Sequence, residues 1–202
     1  HFLEYPYKER AEVKKIIMDL STLFRSVAKT MFPEAKIVAD KFHVIRVVIN
    51  SLENVRKRIQ KEFHATKRKW FKRSRYLLLR PEYKLTSEDK IELARMLNSS
   101  YDLEKAYVLK ERFYEVFRKQ TRTEAKKELG NWLLLAADLS LPEFRHCITT
   151  FSNWKTEIAN IIGERVSNGF IEGSNNKIKV LKRISYGVRN FDRFRNRILY
   201  LE

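Results

Sequence analysis

Short β-branched runs at the start of the chain give way to long stretches of helical spacing. Residues 13–18 and 36–39 are two such runs, and the amphipathic stretch 20–31 between them has the period of a helix. This order predicts a β-α-β unit. An acid directly follows each predicted strand, Asp19 after the first and Asp40 after the second. Because parallel strands present their carboxyl ends at one edge of a sheet, we expect these two acids to lie near one another.

From His43 onward, helical spacing dominates the chain. Apolar residues recur at helical intervals from Val44 to Val55 and begin a helix that continues toward Phe63. Further helices are predicted over residues 87–98, 102–120, 123–135 and 142–162. The predicted fold class is therefore mainly α with a small β-α-β element. Two strands do not make a stable sheet, so the remaining strands are expected elsewhere, for example upstream of His1.

The net charge of the chain indicates which kind of partner it binds. The 202 residues include 42 Lys and Arg against 25 Asp and Glu, a formal net charge of +17. Such a field attracts polyphosphate, so nucleic acid is the expected partner. No apolar run approaches the length of a membrane-spanning helix, there is no signal-peptide pattern at the start, and Cys147 is the only cysteine. A disulfide framework and a cysteine-based zinc site are thereby excluded, and we expect a cytoplasmic protein without a membrane partner.

The segment 56–80 concentrates this charge. It contains 11 Lys and Arg against one acid, Glu62, and aromatic residues are interleaved with them. Cations supply phosphate contacts, and exposed aromatic faces can stack on unpaired bases. The alternative for these aromatics is burial in a helical core, as we expect for Trp132 and Trp154. Nucleic-acid contacts are predicted for these residues of the segment: Arg56, Lys57, Arg58, Lys67, Arg68 and Lys69.

A single carboxylate, Glu172, stands at the head of a segment that is otherwise cationic. If residues 169–183 are helical, Glu172 shares one face with Asn176, Lys179 and Arg183. An acid beside amides and cations could hold a metal ion against a nucleic-acid backbone. The competing interpretation is that Glu172 complements the positive end of the helix dipole and that the lysines form a solvated face. The segment alone does not choose between the two.

Separated strings of residues resemble the ISL-three family of bacterial insertion-sequence transposases. They are MDLS at residues 18–21, FPEAKIVADKFHV at 32–44, EGSNNKIKVLKR at 172–183 and YGVRNF at 186–191. The resemblance covers nearly the whole chain. It implies a partial ribonuclease-H-like core of the DDE type, formed by residues 1–43 and 164–202 and interrupted by a large helical insertion over residues 44–163.

The resemblance also implies roles for individual residues. Asp19 and Glu172 match family acids that bind magnesium or manganese, and DKFH at residues 40–43 resembles a signature beside the second catalytic acid of related transposases. Asp40 is then either a catalytic, metal-binding acid or a supporting residue. His43 could orient a ligand, bind metal or contact phosphate. Phosphate contacts are implied for these residues of the closing helix: Asn175, Asn176, Lys179 and Arg183.

Two assignments of the acids stay open. In the first, the initial catalytic aspartate precedes His1, and the chain is the C-terminal part of a catalytic domain that is inactive alone. In the second, Asp19, Asp40 and Glu172 are the complete set. The first is preferred because only it supplies the missing strands of the sheet.

The implied function is metal-dependent cleavage of DNA at insertion-sequence ends, followed by strand transfer. Water attacks at the element's end, and the freed 3′-hydroxyl then attacks target DNA. Mg²⁺ or Mn²⁺ is the implied cofactor, and the implied partners of this bacterial, nucleoid-associated protein are transposon ends, target DNA and further copies of itself. End recognition in the family is assigned to an upstream zinc-binding and helix-turn-helix region, which has no counterpart in these residues. The alternative function is that of a non-catalytic basic helical module that binds nucleic acid, such as a decayed transposase remnant.

Overall fold

The computed structural model describes residues 2–164 and 169–200, with the backbone alone described for residues 169–172. The chain divides into two compact units, His1–Glu164 and Arg165–Glu202. The first contains strands β1 (Lys15–Met18) and β2 (Lys36–Ala39) and these helices: α1 (Tyr7–Ala11), α2 (Thr22–Met31), α3 (Lys41–Gln60), α4 (Ala65–Arg73), α5 (Arg75–Leu79), α6 (Ser87–Leu97), α7 (Tyr101–Val116), α8 (Arg122–Asp138), α9 (Arg145–Asn153) and α10 (Lys155–Ala159). The second contains α11 (Gly169–Ile184) and α12 (Phe191–Leu199). The described residues are mainly helical and include one small parallel sheet. The predicted fold class, mainly α with a small β-α-β element, is therefore confirmed.

The predicted β-α-β unit is present. β1 and β2 pair in parallel, from Lys15 opposite Lys36 to Met18 opposite Ala39, and α2 connects them. Isoleucine and valine occupy the middle of both strands, where branched side chains suit a pleated, half-buried surface. The two strands therefore end level with one another, each directly before an acid.

α3 is the longest helix in the described part of the chain and lies at the centre of the first unit. Its inward face consists of buried residues at helical spacing: Val44, Val48, Leu52, Val55 and Ile59. α3 packs against α7, and α7 packs against α8, whose Trp132 is 2% exposed. Trp154, directly after α9, is 1% exposed. Both tryptophans are core residues, as predicted. No helix in the described ranges is long and apolar enough to cross a membrane.

The prediction of one continuous helix over residues 142–162 is wrong. A 3-10 turn, Pro142–Phe144, precedes α9, and the chain leaves helical geometry at Trp154, where φ is −111° and ψ is 17°. α10 then packs on β2, and Asn160 Nδ2 donates to the Ile37 carbonyl at 2.8 Å. The break turns the end of the segment onto the sheet, a tertiary contact that hydrophobic spacing does not reveal.

An ion cluster lies at the amino-terminal end of the sheet. Lys36 Nζ donates to the Glu164 carboxylate at 2.7 Å, Arg122 Nη2 donates at 3.1 Å, and Lys15 binds the same carboxylate. Lys15 and Lys36 are the first residues of β1 and β2. Hydrogen bonds from Lys15 and Lys36 lower the pKa of Glu164 from 4.5 to about 2. One carboxylate thus joins the starts of both strands to α8.

This cluster predicts an acid dependence of stability. Because the pKa of Glu164 is lower in the folded than in the unfolded chain, its stabilising contribution is complete above pH 4.5 and is lost as the pH falls through about 2. Glu164→Gln should therefore flatten the dependence of unfolding free energy on pH across that window, as measured by urea unfolding. The exposed Glu34→Gln is the matched control and should keep the wild-type slope. An unchanged slope for Glu164→Gln would show that the cluster contributes nothing.

The second unit is a pair of helices. α11 covers the segment that was predicted to be helical, and a turn in which Tyr186 and Gly187 have positive φ values of 46° and 84° leads to α12. Arg197 Nη1 donates to Ser185 Oγ at 3.0 Å, which ties α12 to the end of α11. The division into a catalytic core of residues 1–43 and 164–202 with an insertion of residues 44–163 stays a prediction.

Candidate metal and nucleic-acid site

Asp19 and Asp40 follow the carboxyl ends of the two parallel strands. The Asp40 N–H donates to the Met18 carbonyl at 2.7 Å, which extends the β1–β2 ladder up to the acids. Neighbouring strands lie about 4.8 Å apart, so the two backbones that carry these carboxylates are direct neighbours. The sheet edge therefore places the two acids together, as the sequence predicts.

Asp40 is engaged on both of its carboxylate oxygens. It is 5% exposed, and its Oδ1 accepts the Phe42 N–H at 3.0 Å, which caps the start of α3. Its Oδ2 lies 2.8 Å from His43 Nδ1. With the proton on Nδ1, the ring donates to Asp40 and presents Nε2 as its free nitrogen. Asp40 thus fixes both the start of α3 and the orientation of His43.

Asp19 lies in an open cleft of about 350 Å³ at the same edge. The cleft is lined by the residues after β1 and by one face of α3: Asp19, Leu20, Ser21, His43, Arg46, Val47 and Asn50. Within the described ranges, no hydrogen bond or ion pair engages the Asp19 carboxylate. One carboxylate without a protein partner, beside an oriented histidine and an arginine, can bind a cation or meet a phosphate group.

The donors in the cleft fit part of a divalent-metal site. A carboxylate oxygen is the ligand that Mg²⁺ and Mn²⁺ prefer, and Asp19 supplies one on the open side of the cleft. Among the described residues, no group of three His, Cys, Asp or Glu is placed to hold a metal ion. The side chain of Glu172, the third predicted ligand, lies outside the described residues. Its backbone is in the first turn of α11, where an acid also complements the helix dipole.

The predicted nucleic-acid contacts of the segment 56–80 have different surroundings. Arg56 is 3% exposed, and its Nε and Nη2 donate to the two oxygens of Glu53 at 2.9 and 3.1 Å, so its burial does not support a phosphate contact. Arg58 donates to Glu143 at 2.6 Å and to Asp102 at 2.9 Å, and the bond to Glu143 is the main reason that its pKa is raised. The remaining predicted cations, Lys57, Lys67, Arg68 and Lys69, are exposed or half-buried.

The aromatic residues in this segment are divided between core and surface. Phe71 is fully buried, and the half-buried Trp70 donates its indole N–H to Glu92. Tyr76 is 44% exposed and donates to Asp89 at 3.2 Å. For Phe71 the core interpretation is confirmed.

The predicted phosphate contacts of the closing helix all lie in α11. Asn175, Asn176, Lys179 and Arg183 are exposed there. His64 and His146 are exposed as well, and Cys147 is buried, with Ser51 Oγ 3.3 Å from its sulfur. Burial raises the pKa of the Cys147 thiol to about 11, which keeps it protonated and unreactive at neutral pH.

Three polar residues of the cleft were not predicted from the sequence. Ser21, Arg46 and Asn50 line it together with Asp19 and His43. The helical spacing of the sequence could have indicated Arg46 and Asn50, because both share one face of the predicted helix with His43.

Comparison with known proteins identifies the family. The ISL-three family of DDE transposases, described as "Transposase", matches residues 1–198. The transposase of insertion sequence IS1001 from Bordetella parapertussis is 26% identical over 197 residues, which are 96% of this chain and 48% of that protein. The transposase of IS1557 from Mycobacterium tuberculosis is 26% identical over 203 residues, which are 89% of this chain and 46% of that protein. A Lactococcus lactis protein named "ATP-dependent protease" is 33% identical over 116 residues, or 57% of this chain and 35% of that protein.

The chain spans about half the length of the two transposases that it matches. No solved structure matches it. The family match covers the strand-end acids, the whole helical body and nearly all of the two closing helices. This chain therefore belongs to the ISL-three family of DDE transposases.

Proposed function

We propose that this chain supplies two acids, Asp19 and Glu172, to a metal-dependent centre that cuts and joins DNA. The observation that carries the proposal is the position of Asp19 at the carboxyl ends of paired parallel strands, in an open cleft and without a partner for its carboxylate among the described residues. Asp40 is proposed as a positioning residue. Both of its oxygens are engaged by neighbouring groups, which favours that role over metal binding.

The chemistry follows from this assignment. Bound Mg²⁺ or Mn²⁺ would activate the attacking oxygen and stabilise the leaving oxygen during cleavage at a transposon end and transfer to target DNA. Asp19 would hold the cation at the strand ends. His43, fixed by Asp40, and the exposed Arg46 would hold the phosphate group that enters the cleft.

We propose that the fold is a partial ribonuclease-H-like core. The β1-α2-β2 unit would belong to its sheet, α3–α10 would form most of the insertion, and α11 would be the closing helix that carries Glu172. Support comes from the family match and from the parallel strands that end in acids. The first catalytic aspartate would come from a strand outside residues 1–202, in line with the greater length of the related transposases.

Manganese binding tests the proposal. Calorimetry of the wild-type chain should show a Mn²⁺ site, and Asp19→Asn and Glu172→Gln should each weaken it about 10-fold or more. Asp138→Asn, an exposed acid at the end of α8, is the matched control and should leave the affinity unchanged. Equal affinity in all variants would contradict the proposal. It would favour the non-catalytic nucleic-acid-binding module instead.

A further inference from the structure

One face of α3 has a row of polar residues that are exposed, except for the half-buried His43 at its start. Measured at 100° per residue, every member lies within about 60° of the direction of His43. We call this row the α3 stripe, and its members are His43, Arg46, Asn50, Asn54, Lys57 and Lys61. Lys61 is the C-cap residue and keeps helical geometry, with φ −66° and ψ −27°. The half-buried Val47 also lies on this face, and so does Arg58 at its edge, which is half-buried and paired with Glu143 and Asp102.

Beyond His43, which contacts Asp40, the cations of the α3 stripe form no ion pair with an acid among the described residues. Glu53 is the only acid of α3, and it is buried against Arg56 on another face. Arg58 is likewise held by Glu143 and Asp102. Within the described part of the chain, no hydrogen bond or ion pair engages the side chains of the stripe members beyond His43. The protein therefore neutralises the other arginines at this end of α3 and leaves the stripe free for an external anion.

The α3 stripe begins inside the candidate site. His43, Arg46 and Asn50 line the cleft together with Asp19. From His43 to Lys61 the row extends about 27 Å at 1.5 Å per residue, a length of about eight nucleotides at 3.4 Å per step along duplex DNA. A straight row of this length would lie along a duplex, which is itself stiff over that distance, and would contact phosphates where the winding strands cross its line.

We infer that the α3 stripe binds the phosphate backbone of a DNA duplex and leads it into the cleft of Asp19. The inference rests on the proposed function and adds the path of the DNA along the protein. Arg46, Lys57 and Lys61 contact phosphates as cations, and Asn50 and Asn54 donate hydrogen bonds to phosphate oxygens. This path runs along α3 and uses neither the buried Arg56 nor the paired Arg58 for phosphate contacts.

Salt dependence measures the phosphate contacts. Each neutralised phosphate adds about 0.9 to the slope of log affinity against log salt concentration for duplex DNA. The triple variant Arg46→Gln, Lys57→Gln, Lys61→Gln should therefore reduce the slope by about 2.7. Its control is Lys90→Gln, Arg112→Gln, Lys127→Gln, which removes the same charge from exposed positions on α6, α7 and α8 and should leave the slope unchanged.

Cross-linking gives a second measurement that does not depend on charge. Cys147 is the only cysteine and is fully buried, so the wild-type chain should not react with a thiol-specific cross-linker. Asn54→Cys should form a disulfide, by thiol–disulfide exchange, with a duplex whose backbone tether ends in an activated mixed disulfide, and the tether's small thiol is the leaving group. Asn131→Cys, at an exposed asparagine of α8, should not.

The outcomes separate this inference from the proposed function. Binding is measured in EDTA, so that loss of a metal site cannot affect it. Equal slopes in the two triple variants, equal cross-linking at residues 54 and 131, or a wild-type chain that does not bind duplex DNA would each overturn the inference. A different pair of results would contradict only the proposed function. In that case the stripe variant has a reduced salt slope, but Asp19→Asn leaves the affinity for manganese unchanged, so the DNA path would stand without the metal site.

Discussion

Trp132→Ala is expected to lower the free energy of unfolding by about 4 kcal/mol. Trp132 is 2% exposed, and its ring lies 5.0 Å from that of Phe113 and 5.6 Å from that of Phe151. Its indole N–H donates to the Leu109 carbonyl at 2.8 Å. Alanine would leave a cavity where α7, α8 and α9 meet and would remove the donor from a buried carbonyl.

Urea unfolding followed by circular dichroism measures this loss. For a chain of this size it corresponds to a fall in Tm of about 8–16 °C. Leu134→Ala is the control from the same helix, because Leu134 is 73% exposed, and it should change stability by less than about 0.5 kcal/mol. Similar losses for the two variants would show that Trp132 does not anchor the core.

Lys110→Met is expected to cost about 3 kcal/mol. The Lys110 side chain is 1% exposed, and its ammonium donates to the carbonyls of Leu78 at 2.9 Å and Arg80 at 2.7 Å. The same ammonium pairs with Glu111 at 2.5 Å. Burial lowers the pKa of Lys110, but these three acceptors compensate the charge. Methionine is unbranched and only one atom shorter than lysine, and it leaves the carbonyls at the end of α5 without a donor.

Thermal unfolding of Lys110→Met should be compared with that of Lys127→Met. Lys127 is exposed on α8, so its replacement should leave Tm within about 2 °C of the wild type. A wild-type Tm for Lys110→Met would mean that water satisfies the two carbonyls equally well.

The helices and strands that the sequence predicts best are those in which residue type, hydrophobic spacing and capping residues all indicate the same element. β2 has the bounds predicted from its β-branched run, and α6 begins after Thr86, where the side chains of Thr86 and Asp89 form a capping box. The acids at the strand ends followed from the β-α-β order alone. The break at Trp154 could not be predicted, because it depends on contacts between α10 and the sheet.

The sequence predicted that Asp19 and Asp40 lie at neighbouring strand ends, but it did not show which cations the fold leaves exposed. Arg56 stands in a run of basic residues, yet it is buried because Glu53 lies one turn before it and pairs with it. For Asp40 the sequence left a catalytic and a supporting role open, and its contacts with Phe42 and His43 are the reason that we propose the supporting role. Exposure of a cation depends on which face of α3 the rest of the fold covers. This is why the sequence could place Arg46 on the face of His43 but could not show that Arg46 is exposed.

Iron-directed cleavage of the chain is the most direct measurement of the central proposal, that Asp19 and Glu172 both belong to a metal centre. Fe²⁺ in place of Mg²⁺, with ascorbate and peroxide, generates radicals that cut the polypeptide close to the bound ion. We expect cuts near Asp19, near the Asp40–His43 pair and near Glu172, and Asp19→Asn should abolish all three together. Cuts near Asp19 without a cut near Glu172, or a pattern that Asp19→Asn leaves unchanged, would contradict the account.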